Sequence, residues 1–171
     1  MDNQILKETE STGEELIKIL SSFSQEQLNK VPYAGSWTAG QCAEHINKAA
    51  AGVAHTIKGR TRPGDRRPDE KNAAIASVFL DFTLKMQAPD FIIPSDGPHQ
   101  KEAVISDAGR FISSLVKSIR GSDLSEICLD FEVPGFGPFT REEFVYFALC
   151  HTQRHIHQLK KISAALEPVL S

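Results

Sequence analysis

Residues 139–166, FTREEFVYFALCHTQRHIHQLKKISAAL, decide the fold. Phe144, Phe147, Ala148, His151, His155, Leu159 and Ile162 recur at helical period, so they form one stripe that faces a core. His151 and His155 stand one turn apart, about 40° round the helix axis, and both imidazoles point inward. His157 lies about 200° round from His155 and points away. Two imidazoles stacked on an apolar stripe repel each other if charged, and each ring nitrogen needs a partner. A divalent ion meets both demands by holding the rings neutral. The HxxxH spacing on a helix is also common by chance, so the reading asks for a third donor from elsewhere in the chain.

Working outward, Thr140 and Glu143 launch this helix as a capping box, with Phe139 and Phe144 placed as a hydrophobic staple. The same device recurs at Thr38 and Gln41, flanked by Trp37 and Cys42. Behind that second cap, Cys42, His45, Ile46, Ala49, Val53 and Ile57 recur at threes and fours, which sets His45 on a buried stripe and supplies the third ligand. Gln41 lies one turn from His45 and Gln158 nearly one turn from His155, so both are candidates to orient ligands or substrate from behind the donors. A plain cap or surface role is the alternative for each. Cys150 sits about 100° from His151 and reads as packing rather than as a ligand.

The remaining segments have a coarser pattern. Residues 3–23 predict a first helix through Leu16, Ile19, Leu20 and Phe23, with Gly13 weakening its middle, and residues 24–36 a connection. Residues 59–71, GRTRPGDRRPDEK, read as a solvated loop, because Asp65, Asp69 and Glu70 dilute arginines that otherwise suit an anionic substrate tail. Residues 72–86 predict a helix with Ile75, Phe79, Phe82 and Met86 as its stripe and Asp81 on the opposite face. Residues 88–99 are broken by prolines and place His99 at the surface, while residues 100–120 give another amphipathic helix that Gly121 ends. A short extended piece is expected at residues 127–133. The Gly-Phe-Gly at residues 135–137 lacks the lysine, the longer glycine spacing and the preceding strand of a phosphate loop.

A chain of 171 residues, 40% hydrophobic and 24% charged, suits a single domain over residues 1–171. Its net charge of −3 argues against a nucleic-acid or anionic-membrane partner and for a small-molecule one. No apolar run approaches the roughly 20 residues of a membrane span, and MDNQILKETE is too acidic for a signal peptide, so the expected setting is cytoplasmic. Cys42, Cys128 and Cys150 are an odd number without CxxC pairing, as befits reduced, buried thiols.

Three motifs then stand in order: W-T-x-x-Q-x-x-E-H-I at residues 37–46, G-x-G-x-x-T-R-E-E at 135–143 and H-x-x-x-H-x-x-Q-L at 151–159. Together they resemble the DinB/YfiT-like superfamily. The resemblance implies an all-α four-helix bundle, with a long connection containing an extra helix between bundle helices 2 and 3, often assembled as a homodimer. It also implies a three-histidine metal site made by His45, His151 and His155. Three neutral imidazoles leave the charge of a divalent ion uncompensated and a coordination position open, as in reactive rather than closed structural sites. Water bound there is acidified toward pH 7, and a bound thiol becomes a nucleophilic thiolate. Imidazole ligation suits zinc, nickel, copper and iron, with zinc or nickel the leading expectation. Relatives of this kind include thiol S-transferases and a thiol-dependent isomerase, and others carry a hydrolase label. The expected function is therefore transfer of a low-molecular-weight thiol to a small electrophile. Hydrolysis of a small ester or amide and a non-catalytic metal-binding module are the alternatives.

Overall fold

The computed structural model describes residues 2–168. Six α-helices are described: α1 (Asp2–Ser22), α2 (Gln25–Leu28), α3 (Ala39–Ile57), α4 (Asn72–Phe79), α5 (Lys101–Gly121) and α6 (Arg141–Leu166). A two-residue strand β1 (Thr61–Arg62) pairs antiparallel with β2 (Ile127–Cys128), which ties the connection after α3 to the one before α6. Among the described residues no helix is long and apolar enough to cross a membrane.

The bundle consists of α1, α3, α5 and α6. Helix α1 packs against α5 and α6, and α3 packs against the same two, so α1 and α3 occupy one diagonal. Side-chain bridges fix the directions. Lys160 on α6 reaches Glu15 on α1 at 2.6 Å and Gln153 reaches Thr12 at 3.2 Å, a parallel pair. Arg141 at the start of α6 donates to the Ile57 carbonyl at the end of α3 at 2.9 Å, so that pair runs antiparallel. Helices α3 and α5 run parallel, with Asn47 on Val104 and Lys58 on Ser114. That order demands a long crossover after α3, and residues 58–100 supply it with β1, α4 and a 3-10 turn at Asp90–Ile92.

Local chemistry fixes the starts of α2, α3 and α6. Thr38 and Gln41 form a complete capping box on α3, and Thr140 and Glu143 form another on α6, where the Phe139 and Phe144 rings meet edge to face at 5.1 Å. The Trp37 ring lies 4.9 Å from that of His45. A third capping box, Ser24 with Gln27, starts α2 inside what the sequence marks as a plain connection. Helix α1 continues through Gly13 because α5 crosses there, and a Cβ at that position collides with Ile112.

The connections depart from expectation in two places. The helix from residue 72 ends at Phe79 rather than Met86, because the Asp81 carboxylate accepts from the Thr83 amide at 3.0 Å and closes a turn. Helix α5 closes with Gly121, as expected, and leaves the helical conformation at Ser122. The loop at residues 59–71 is solvated along much of its length, with Arg60 and Arg67 in water, but it is also anchored. Arg66 forks onto the fully buried Glu143 at 2.6 and 2.8 Å, and Lys71 reaches the carbonyls of Phe136 and Pro138 at 2.6 and 2.8 Å. An arginine used in this way is not available to a substrate tail.

Candidate metal centre

Antiparallel packing of α3 on α6 brings the early turns of one against the middle of the other, and it is here that the predicted histidines meet. The Nε2 atom of His45 lies 3.0 Å from that of His151 and 3.0 Å from that of His155, and the last two are 3.2 Å apart. None of the three side chains is more than 9% exposed. His157, expected to point away, is not part of this triangle; its ring stacks flat on Phe82 at 4.2 Å.

The far side of two rings sets their tautomers. His45 Nδ1 lies 2.9 Å from the Ile92 carbonyl, and His155 Nδ1 lies 2.8 Å from Gln158 Oε1. Both partners are acceptors, so Nδ1 carries the proton and the Nε2 lone pair points into the triangle. Burial holds all three rings neutral. It lowers the pKa of His45, and it takes His151 well below the usual imidazole value, helped by His155 and His45 beside it. His155 falls to about 4 through burial and the proximity of His45, against the opposing bond to Gln158.

Gln158 thus stands behind a donor, whereas the side-chain bonds of Gln41 go to the Thr38 amide at 3.0 Å and the Ser95 carbonyl at 3.2 Å, since its capping geometry turns it from the imidazoles. His99, expected at the surface, is 9% exposed and packs over Gly40. Its Nε2 lies 2.5 Å from Glu44 Oε2, which also accepts from Ser95 Oγ at 2.7 Å. Burial opposes ionisation of Glu44, but His99, Lys48 and Ser95 outweigh it and lower that carboxyl to about 2. Residue 44 therefore pins the loop whose Ile92 carbonyl orients residue 45. Periodicity did not reveal this pairing, because His99 belongs to an irregular segment.

Outside the triangle opens a groove of about 1350 Å³ that reaches all three histidines and is walled by Phe79, Phe82, Phe91, Phe131 and Phe147 among others. Arg154, next to His155, holds the outer wall by donating to the carbonyls of Phe79, Asp81 and Leu84. Among the described residues Asp130 is the carboxylate that lines the groove, and it is paired with Arg60 at 2.7 Å.

The donor set fits a divalent ion. Imidazole nitrogens about 2.0–2.1 Å from a tetrahedral or octahedral ion are about 3 Å from one another, as these three are. Three such donors on one side leave positions free on the side of the groove.

An all-α bundle of diagonal α1 and α3, with three convergent histidines open to a groove, defines the class. The chain belongs to the DinB superfamily, whose family profile matches residues 8–159. It is similar to the uncharacterized protein YuaE of Bacillus subtilis, 22% identical over 151 residues that cover 86% of this chain and 90% of YuaE. Its fold is similar to that of YfiT from Bacillus subtilis, described as a probable metal-dependent hydrolase with an unusual four-helix bundle topology. The match has a TM-score of 0.60 at 15% identity and covers 95% of this chain and 86% of that one.

Proposed function

We propose that this protein is a metal-dependent enzyme in which His45, His151 and His155 hold one divalent ion, zinc or nickel, and present it to a small-molecule electrophile in the groove. The observation that carries the reading is the triangle of Nε2 lone pairs, two of them aimed by acceptors on Nδ1. A divalent ion there supplies Lewis acidity, which brings the pKa of a thiol or water toward neutrality. The chain's own residues do the rest: Ile92 and Gln158 keep two Nε2 atoms unprotonated, and Phe79 and Phe147 exclude water beside His151.

The nucleophile we favour is a low-molecular-weight thiol as cosubstrate: its S–H proton goes to solvent, a carbon–sulfur bond forms at the electrophile, and the group that carbon carried leaves with the bonding pair. A thiolate needs no further base once formed, and this suits a groove whose carboxylate, Asp130, is engaged by Arg60. Hydrolysis of a small ester or amide is the second reading, favoured by the description of the structurally similar YfiT. Cobalt substitution separates them. Addition of a small thiol is expected to produce a thiolate-to-cobalt charge-transfer band; ester turnover without that band supports the hydrolase, and neither result leaves a non-catalytic metal-binding module. We also propose a cytoplasmic homodimer, in keeping with three free, buried cysteines and with exposed Val31 and Leu129. Sedimentation at tens of micromolar that shows a monomer removes the dimer.

A further inference from the structure

Large apolar side chains left in water are spread unevenly over this molecule. Tyr33, Phe82, Leu84, Met86, Phe91 and Phe131 are each between 39% and 68% exposed, and every one of them lines the groove that ends at the three histidines. Scattered exposed apolar residues are ordinary, but a cluster of them in one concavity marks a binding surface. The Phe91 and Phe131 rings meet edge to face at 6.1 Å, and Phe82 is held flat on His157, so the wall is built from supported rings rather than loose ones.

Its charge is equally uneven. The whole chain carries −3, yet Lys48, Lys85, Arg154 and Lys161 line the groove, and among the described residues Asp130 is the one carboxylate set against them. Asp130 is taken by Arg60, and Lys48 by Glu44 at 2.9 Å. Lys85 and Lys161 have no carboxylate partner among the described residues, and the guanidinium of Arg154 hydrogen-bonds to neutral carbonyls, with the Asp81 carboxylate near enough to feel its charge. At about 1350 Å³ the groove also exceeds the roughly 300–1,000 Å³ typical of small-ligand pockets.

We infer that the groove takes an elongated amphipathic anion, an alkyl or aryl body bearing a carboxylate or similar acid, whose apolar length lies along Leu84, Met86, Phe91 and Phe131. This deepens the proposed function by naming the class of electrophile, and it rests on that reading only for which end of the molecule reacts. Length gives affinity through apolar burial, and the cations select the sign of the head group.

Calorimetry on the full-length protein, as purified and again after chelation, with hexanoate, octanoate and decanoate tests this directly. Affinity is expected to rise about fourfold per added methylene. Decyltrimethylammonium is expected to bind at least tenfold more weakly than decanoate. The Leu84→Ser/Phe91→Ser double variant should lose tenfold or more for decanoate and little for hexanoate, and Lys85→Glu/Lys161→Glu should remove the preference for the anion. Affinity independent of chain length, or equal for anion and cation, overturns the inference. So does a wild-type dimer that binds no decanoate and becomes monomeric on Leu84→Ser/Phe91→Ser, because the groove is then an interface between two copies. Since binding is scored without the ion, a protein that binds decanoate but no metal refutes only the proposed function, and one that binds metal without a chain-length effect refutes only this inference.

Discussion

Glu44 and His99 meet at 2.5 Å although 55 residues separate them, and their contact holds the loop whose Ile92 carbonyl accepts from His45. His99→Ala is therefore expected to weaken metal binding about tenfold, the low end of what loss of a partner behind a ligand costs. His99→Gln, which can still donate to Glu44, should recover most of the affinity. Competitive chelator titrations of both variants measure this, and equal loss in the two sinks the positioning role.

The three imidazoles are not interchangeable with their neighbour. Substitution of His45, His151 or His155 by Ala should abolish tight binding of a divalent ion, whereas His157→Ala should keep the wild-type stoichiometry, near one ion per chain. Elemental analysis after purification without a nickel column gives the answer. Retention of the ion by His151→Ala together with its loss from His157→Ala would show that the stripe faces the wrong way.

Metal-free stability should fall on acidification through a window set by these rings. Each has its folded pKa lowered from 6.5, that of His155 to about 4, while the unfolded chain protonates near 6.5. Between those limits the unfolded state binds more protons, so stability decreases as pH drops from about 6.5 toward 4. In the His45→Ala/His151→Ala/His155→Ala variant that part of the slope should vanish, while Glu44, held at about 2, keeps its own acid loss below its unfolded pKa of 4.5 in both proteins. Urea denaturation at successive pH values distinguishes the two curves.

How far the sequence reaches depends on how local the cause is. The boxes at Thr38 with Gln41 and Thr140 with Glu143 involve neighbours three residues apart, and the stripes bearing His45, His151 and His155 need only helical period, so each could be read from the chain. The Ser24 box carries the same signature but launches a single turn, too short for any periodic pattern to support. The burial of His99 and the inward turn of Arg66 are not legible in the chain, because their partners, Glu44 and Glu143, lie 55 and 77 residues away. Nothing in a loop of mixed charge announces which arginine turns inward.

Arg66 supplies the sharpest stability test. Glu143 is fully buried and accepts from Arg66, the Lys71 amide and the Thr140 amide. Arg66→Ala leaves a carboxylate without its charge partner and should cost about 3–5 kcal/mol. Arg66→Met with Glu143→Gln should cost clearly less, since no buried charge remains. Denaturant midpoints that do not differ between the single and double variants contradict the account.

The histidine triangle joins residues 106 and 110 positions apart, and one of its two supports is a carbonyl from the crossover. No fragment of the chain that ends before α6 holds more than one of the three donors. Ion capture therefore reports that the last helix has docked, and a bound ion acts as a reversible clasp that closes a loop over most of the chain. Its loss should be felt far from the groove, as faster hydrogen exchange where α6 meets α1 at Thr12 and Glu15.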